Sequence, residues 1–433
     1  MGGSGVQRPL KLGKYLARRG VDVTFLVPSD NQYHISDPSL LEEVEDQERI
    51  HFLRVEGKTP ADSPFLKGLH RSYRQRLSPI LTRLTSWWYL PDNKKGWILP
   101  ALQAAMKAHK RHPFDLIFST AAPYSNLLLA AEIKKQCHLP VWMDLRDDWL
   151  NSHLLRYPTK WHYKRMAEIE RDTLQSADVI SVINTGVKVS LMSRLTDIPE
   201  PKVLPNGFDP EDFPKEFNPA ANLTNTAIST EVHSIQDQPS NHTLNLLYSG
   251  LFYGRQQPDI FLKGAKLAIE QRPELATQLK LHFQGDFFER HLQLGSKLGL
   301  QKNLIIHGNL PHKESVFGLM KADILWLIVP KQPHSESHTP GKLYEYMGTL
   351  KPVLALSELG VTTDLLNQYG ASFRCEPDNP HSIAETILDI HTKWEAGELP
   401  FGNRDFIQQF DRSVHATQIA SALDELLKGF RNS

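Results

Sequence analysis

Short apolar runs bounded by Gly, Pro or Asn alternate along this chain with stretches whose apolar positions recur at helical spacing. In the first half, Leu10, Leu12, Tyr15 and Leu16 predict a helix over Pro9 to Arg19, which Gly20 ends. Strands are predicted at Val21 to Val27, His51 to Val55, Asp115 to Thr120, Pro140 to Leu145, Asp178 to Ile183 and from Val203, the last running into an Asn206-Gly207 turn. A helix to Gln136 and an amphipathic one over Trp161 to Ser176 separate them. In the second half, strands are predicted at Leu244 to Tyr248, Leu279 to Phe283, Asn303 to His307, Asp323 to Val329, Val353 to Leu356 and Ser372 to Cys375. Helices are predicted to Gln271, to Met320, from Pro380 and from Ser413. Strands interleaved with helices describe an α/β protein with parallel sheets. No repeat with a period of 20–50 residues is present.

The alternation stops at Pro214 to His242, a polar stretch rich in Pro, Asn, Ser and Thr. It reads as a linker or disordered insertion. The predicted organisation is a first α/β domain over 1–213, the linker 214–242, a second α/β domain over 243–412, and a C-terminal helix 413–433 packing back on the first domain. A chain of 433 residues is long enough for two such domains.

Lys plus Arg equals Asp plus Glu, at 49 each. Net charge therefore suggests no nucleic acid partner. Cys137 and Cys375 are the two cysteines, without a CxxC or a neighbouring His pair, so a disulfide framework or a zinc site is not expected. No apolar run approaches the roughly 20 residues needed to span a bilayer. A cytoplasmic location is the expectation. One segment stands apart: 67–111 carries ten Lys or Arg against the single acid Asp92, together with Trp87, Trp88, Tyr89 and Trp97. Such a face suits an anionic membrane surface, and peripheral attachment to the inner face of a membrane. A solvated helix with inward-packed tryptophans is the other reading.

Candidate chemistry centres on Ser337 to Gly348 and the strand that follows. Thr339 suits an N-cap and Pro340 the first helical position, so the helix is expected to start near Gly341 with its amides facing the preceding loop. That end attracts phosphate, and Glu345, one turn in, can accept two hydrogen bonds from a sugar. The opening Gly2-Gly3-Ser4-Gly5 reads as a phosphate-approaching loop without the strand that should precede it. Either the chain starts further upstream or the domain lacks its first, central strand. Asp144-Leu145-Arg146-Asp147-Asp148 ends a predicted strand, where α/β folds place their sites. An ion pair of Asp144, Arg146 and Asp147 that merely caps the next segment is the alternative.

The glycine opening, Asp144 to Trp149, Pro205-Asn206-Gly207-Phe208-Asp209, Gly250 to Arg255, and Lys342-Leu343-Tyr344-Glu345-Tyr346 with Lys351-Pro352-Val353 together resemble a GT-B glycosyltransferase, specifically the family 4 (group 1) glycosyltransferases. That resemblance implies two Rossmann-like domains facing a cleft. A nucleotide-diphosphate-sugar donor would be held there, mainly by the second domain, for retaining transfer of a hexosyl group with no cofactor or metal required. The acceptor implied is a glycan or lipid-linked molecule of cell-surface polysaccharide synthesis. Glu345 matches the second Glu of the family's E-x7-E pattern, on the donor ribose; Ser337 stands where the first would be, beside Glu336. Arg255 matches the arginine that neutralises the diphosphate, with Lys263 or Lys342 as its companion. Gly3, Gly5, Thr339 and Gly341 complete the implied donor site. Arg146 and Asp147 fall where other members carry a catalytic His-Asp pair. A non-catalytic or truncated sugar-nucleotide binder and a nucleotide-sugar epimerase of the same fold are the rival readings.

Overall fold

The computed structural model describes residues 4–29, 39–45, 47–57, 87, 89–152, 155, 157–214 and 242–432. Most of the expected linker, and residues 67–86 and 88 of the basic segment, lie outside these. The chain divides into two compact units: residues 1–205 with 415–433, and residues 206–414. The first boundary falls at 205, earlier than the predicted 213. Phe208 and Phe213 pack into the second unit's core with Leu247, Leu325 and Met347.

In the first unit, β1 (Val23–Pro28) pairs parallel with β2 (Ile50–Val55). A separate parallel sheet runs in the order β3 (Ile117–Ala121), β4 (Val141–Leu145), β5 (Val179–Val182), β6 (Lys202–Val203). No described strand joins β1 to β3. Every residue of β4 is buried, as a central parallel strand requires. β1 and β3 are only half-buried along most of their length. Common cores nevertheless cover both pieces. On one face Leu26, Leu53 and Ile117 pack with Val55, Ala101 and Leu129. On the other, Val23 and Phe118 pack with Leu16, Trp142, and Ile419 and Leu423 of the C-terminal helix Arg412–Asn432. Trp97 is buried in the first of these cores, so this tryptophan of the basic segment packs inward.

The first helix is Ser4–Ala17, so the opening is helical five residues before the predicted start. Pro9 sits inside it and has no N–H for the Gly5 carbonyl one turn back. Arg146 supplies the missing donor: its Nη1 reaches Gly5 O at 2.6 Å. The helix is fastened again by Arg8, whose Nε and Nη2 donate to the Asp144 carboxylate at 2.9 and 2.8 Å. Asp144 also accepts from Thr120 and Ser181. Helices Thr185–Arg194, Glu289–Lys297 and Val361–Tyr369 are present without having been predicted. The first is rich in β-branched residues and depends on the Asn184 side chain accepting from Val187 N.

The second unit is one six-stranded parallel sheet, ordered β12 (Ser372–Cys375), β11 (Val353–Leu356), β10 (Ile324–Ile328), β7 (Leu244–Ser249), β8 (Leu279–Gln284), β9 (Leu304–Gly308). Helices cover both faces. Asp259–Gln271 and Pro380–Glu395 lie on one, meeting so closely at Gly264 that a Cβ there would stand 2.4 Å from Ile383. His312–Lys321, Lys342–Gly348 and Val361–Tyr369 lie on the other.

Burial alone would raise the Asp144 pKa, but the Arg8 charge and three hydrogen-bonding side chains hold it below the usual carboxylate range. A depressed folded-state pKa adds stability above the unfolded value of about 3.9, and that stability is lost as pH falls through the folded pKa. Arg8→Met leaves this carboxylate buried without its counter-charge. Urea denaturation at pH 7 should show the first unit destabilised by about 3–5 kcal/mol, and the deficit should shrink below pH 4.

Candidate active site

The order of the second sheet reverses between β7 and β10. Chain segments leave these neighbours in opposite directions, and the crevice at their carboxyl ends is where open parallel sheets hold ligands. β7 ends at Ser249 and turns at Gly250, whose φ of +125° suits glycine. β10 ends at Ile328 and leads through residues 329–341 into the 342–348 helix. Side chains stitch the two connections together. The Tyr346 hydroxyl accepts from Ser249 N at 2.8 Å, Gln256 Nε2 donates to Ile328 O at 2.9 Å, and Arg255 Nη1 donates to Lys331 O at 3.2 Å.

Lys342 lies at this junction. Its Nζ is buried, although the residue as a whole is only half-buried, and it finds no hydrogen-bond acceptor among the described residues. It sits 3.8 Å from the centre of the Tyr248 ring, and a Cβ on Gly250 would come within 2.7 Å of it. Burial pushes its pKa down to about 7, with nearby Glu345 opposing the shift. Glu345 is half-buried on the next turn, 3.9 Å from His312 Nε2, which lies 3.0 Å from an Asp212 carboxylate oxygen. The arrangement offers one poised cation, one exposed guanidinium and one reachable carboxylate around the carboxyl ends of two central strands.

The helix end differs from the expectation. Gly341, not Thr339, occupies the cap position and no side chain caps it. The Leu343 and Tyr344 amides bond to Pro340 O and Gly341 O, which reduces the donors this end can offer. Thr339 is buried and Gly341 exposed beside Asn206. Lys263 stands exposed on the Asp259–Gln271 helix, and no described contact draws it to the junction. Tyr248, Gln256 and His312 belong to this neighbourhood without having been singled out. The one signal in the sequence was position, since Tyr248 closes an apolar run just before Ser249-Gly250.

In the first unit, Gly3 lies outside the described residues. Gly5 lies in the first turn of the opening helix and serves through its carbonyl. Arg146 donates to Ala121 O at 2.9 Å, to Ala122 O and to Gly5 O, so its guanidinium is committed to main-chain carbonyls. Asp144 is a buried carboxylate paired with Arg8, and Arg146 also feels its charge and that of Asp147. Asp147 is half-buried just past the carboxyl end of β4. Its neighbour Asp148 belongs to a network with Arg194, Ser190 and Glu170, at 2.7 Å from Arg194 Nη2. Burial would raise the Asp148 pKa, and the Arg194 hydrogen bonds and charge bring it below the ordinary value.

Comparison with known proteins follows the same lines. No curated protein sequence matches the chain. Among solved structures, a glycosyltransferase from Rickettsia africae is 16% identical over 98% of this chain and 95% of its own, with a TM-score of 0.62. Sucrose-phosphate synthase from Thermosynechococcus elongatus is 15% identical over 99% and 94%, TM-score 0.63. WaaG, a glycosyltransferase involved in lipopolysaccharide biosynthesis, is 14% identical over 97% and 96%, TM-score 0.59. Residues 2–207 match the glycosyl transferase 4-like domain. The chain thus has the GT-B fold of two Rossmann-like domains, and its residues 2–207 form a glycosyl transferase 4-like domain.

Proposed function

We propose that the protein moves a hexosyl group, with retention, from a nucleotide-diphosphate-sugar to a glycan or lipid-linked acceptor in cell-surface polysaccharide synthesis. The observation that carries the donor half of this reading is the buried, acceptor-less Lys342 amine at the β7–β10 junction. A departing diphosphate gathers negative charge, and fixed cations aimed at it lower the barrier. Lys342 and Arg255 are the cations, with Gly341 and the Gly250 turn giving close backbone approach. Glu345 accepts from the ribose hydroxyls. Lys342 takes the companion-lysine role in preference to Lys263, which stays exposed on its helix. The reading calls for no metal or other cofactor, because the two side chains meet the diphosphate charge.

In the first unit, we assign Asp147 to the acceptor side and Arg146 to holding the opening helix. The involvement of WaaG in lipopolysaccharide biosynthesis supports a cell-surface acceptor.

Two outcomes test the donor site. Glu345→Ala removes two accepted hydrogen bonds, and calorimetry with nucleoside diphosphates should show affinity falling about 10- to 100-fold, or about 1.5–3 kcal/mol. Unchanged affinity would remove Glu345 from the site. The second outcome is a pH dependence. With a free-state pKa of about 7, Lys342 is mostly neutral at pH 8.5 and must take up a proton to meet an anion. Nucleotide affinity should therefore fall as pH rises from 6.5 to 8.5, by up to about tenfold per unit above 7. Lys342→Met should bind weakly with that slope abolished.

A further inference from the structure

The helix Lys160–Leu174 begins with a group of side chains that the donor and acceptor assignments do not use. Trp161 is 63% exposed and Tyr163 40%, and Trp87, brought to the same helix end, is 49% exposed. Isolated surface aromatics need no explanation, but the two indoles share one buried neighbour, His162, and so form an apolar cluster at the helix start. His162 builds it. Its side chain is buried, its Nδ1 lies 2.8 Å from the Thr159 hydroxyl that caps the helix, and its Nε2 lies 3.3 Å from Trp87 O. The Trp87 and Trp161 rings both stand edge-on to the imidazole, at 5.3 and 5.0 Å. Tyr163 is held edge-on to Tyr157 at 5.3 Å. The aromatic rings are thus propped outward by a buried residue and a neighbouring ring.

Basic side chains rim the patch. Lys160, Lys164 and Arg165 are all exposed on the same two turns, and Glu168, paired with Arg165 at 2.7 Å, is the acid among them. Amphipathic rings with lysines beside them match the level where bilayer headgroups meet acyl chains. No described helix is long and apolar enough to cross a membrane, so this face would rest on a bilayer rather than enter it. The sequence pointed to 67–111 for such contact. The described part of that segment contributes Trp87, but Trp97 is core.

We infer that Trp87 and Trp161, with Lys160, Lys164 and Arg165, form a docking face for an anionic lipid bilayer. It builds on the lipid-linked form of the acceptor assignment and is independent of the donor site. Neutral or zwitterionic surfaces lack the charge that the rim complements.

The test is co-sedimentation of the full chain with vesicles of phosphatidylcholine alone and with added phosphatidylglycerol. Binding is expected to the anionic vesicles, weakened by salt. Lys160→Glu with Lys164→Glu should lower it at least tenfold, at roughly fivefold per basic residue lost. Trp161→Ala should lower it severalfold and remove part of the vesicle-induced tryptophan blue shift. All these positions are exposed, so circular dichroism and melting should match the parent, and Lys164→Arg should bind normally. Anionic vesicle binding that ignores these substitutions places the contact elsewhere and overturns the inference. So does failure to bind either vesicle, or quenching of Trp161 by soluble glycan fragments instead. Vesicle binding without sugar transfer would leave this face standing and sink the catalytic reading. Transfer to a soluble acceptor without vesicle binding would do the reverse.

Discussion

Parallel strands cannot be joined by a tight turn; each must return through a crossover, and every crossover departs from the same edge of the sheet. That constraint places the groups described here. Gly250, Arg255, Lys342 and Glu345 come from segments far apart in the chain, yet they meet because β7 and β10 are neighbours whose crossovers leave to opposite sides. In the first unit the same rule places Asp144 near the end of β4 and Arg146 and Asp147 just past it. Helix packing on both faces then decides which of these groups stay accessible. Tyr346, buried in the core, fixes Ser249 through its hydroxyl and so holds the turn that covers the lysine.

Charge buried inside the units has two distinct uses. The Asp144 carboxylate is surrounded by four donor atoms on Arg8, Thr120 and Ser181, and it ties the opening helix to three strands. Asp148, Arg194 and Glu170 form a second closed set joining the β4 loop to two helices. In both sets the opposite charges are paired with each other, and such groups position rather than react. Lys342 is the contrast, an amine out of contact with water that lies over the face of a tyrosine ring. A group left in that state costs stability unless something else completes its surroundings.

The strands were the most legible part of the sequence. Val353–Leu356 and Ser372–Cys375 have the bounds that their apolar runs and flanking Pro and Gly announce. Helices with few apolar positions in register, such as Thr185–Arg194, were not legible, because tertiary packing and a cap sustain them rather than periodicity. Among the candidate site residues, Glu345 and Lys342 could be read from one motif because they share a short helix. The role of Arg146 could not, since it answers a gap created by Pro9 in a distant segment. Burial of the Lys342 amine was equally invisible, for it depends on a turn and a ring contributed by β7. Thr339 looked like a cap by type, but the chain begins its helix two residues later and leaves Thr339 inside.

The separation of β1–β2 from β3–β6 has a mechanical consequence. A two-stranded sheet is marginal by itself in water. Here, among the described residues, strand and helix side chains on both faces join it to the larger sheet. Ladder hydrogen bonds transmit order along a sheet residue by residue, whereas side-chain packing transmits it only where the contacts persist. Among the described residues, Leu26, Leu53 and Ile117 on one face and Val23 and Phe118 on the other therefore carry the cohesion of the first unit's two strand groups, and truncating any of them should loosen β1–β2 before it disturbs the β3–β6 ladder.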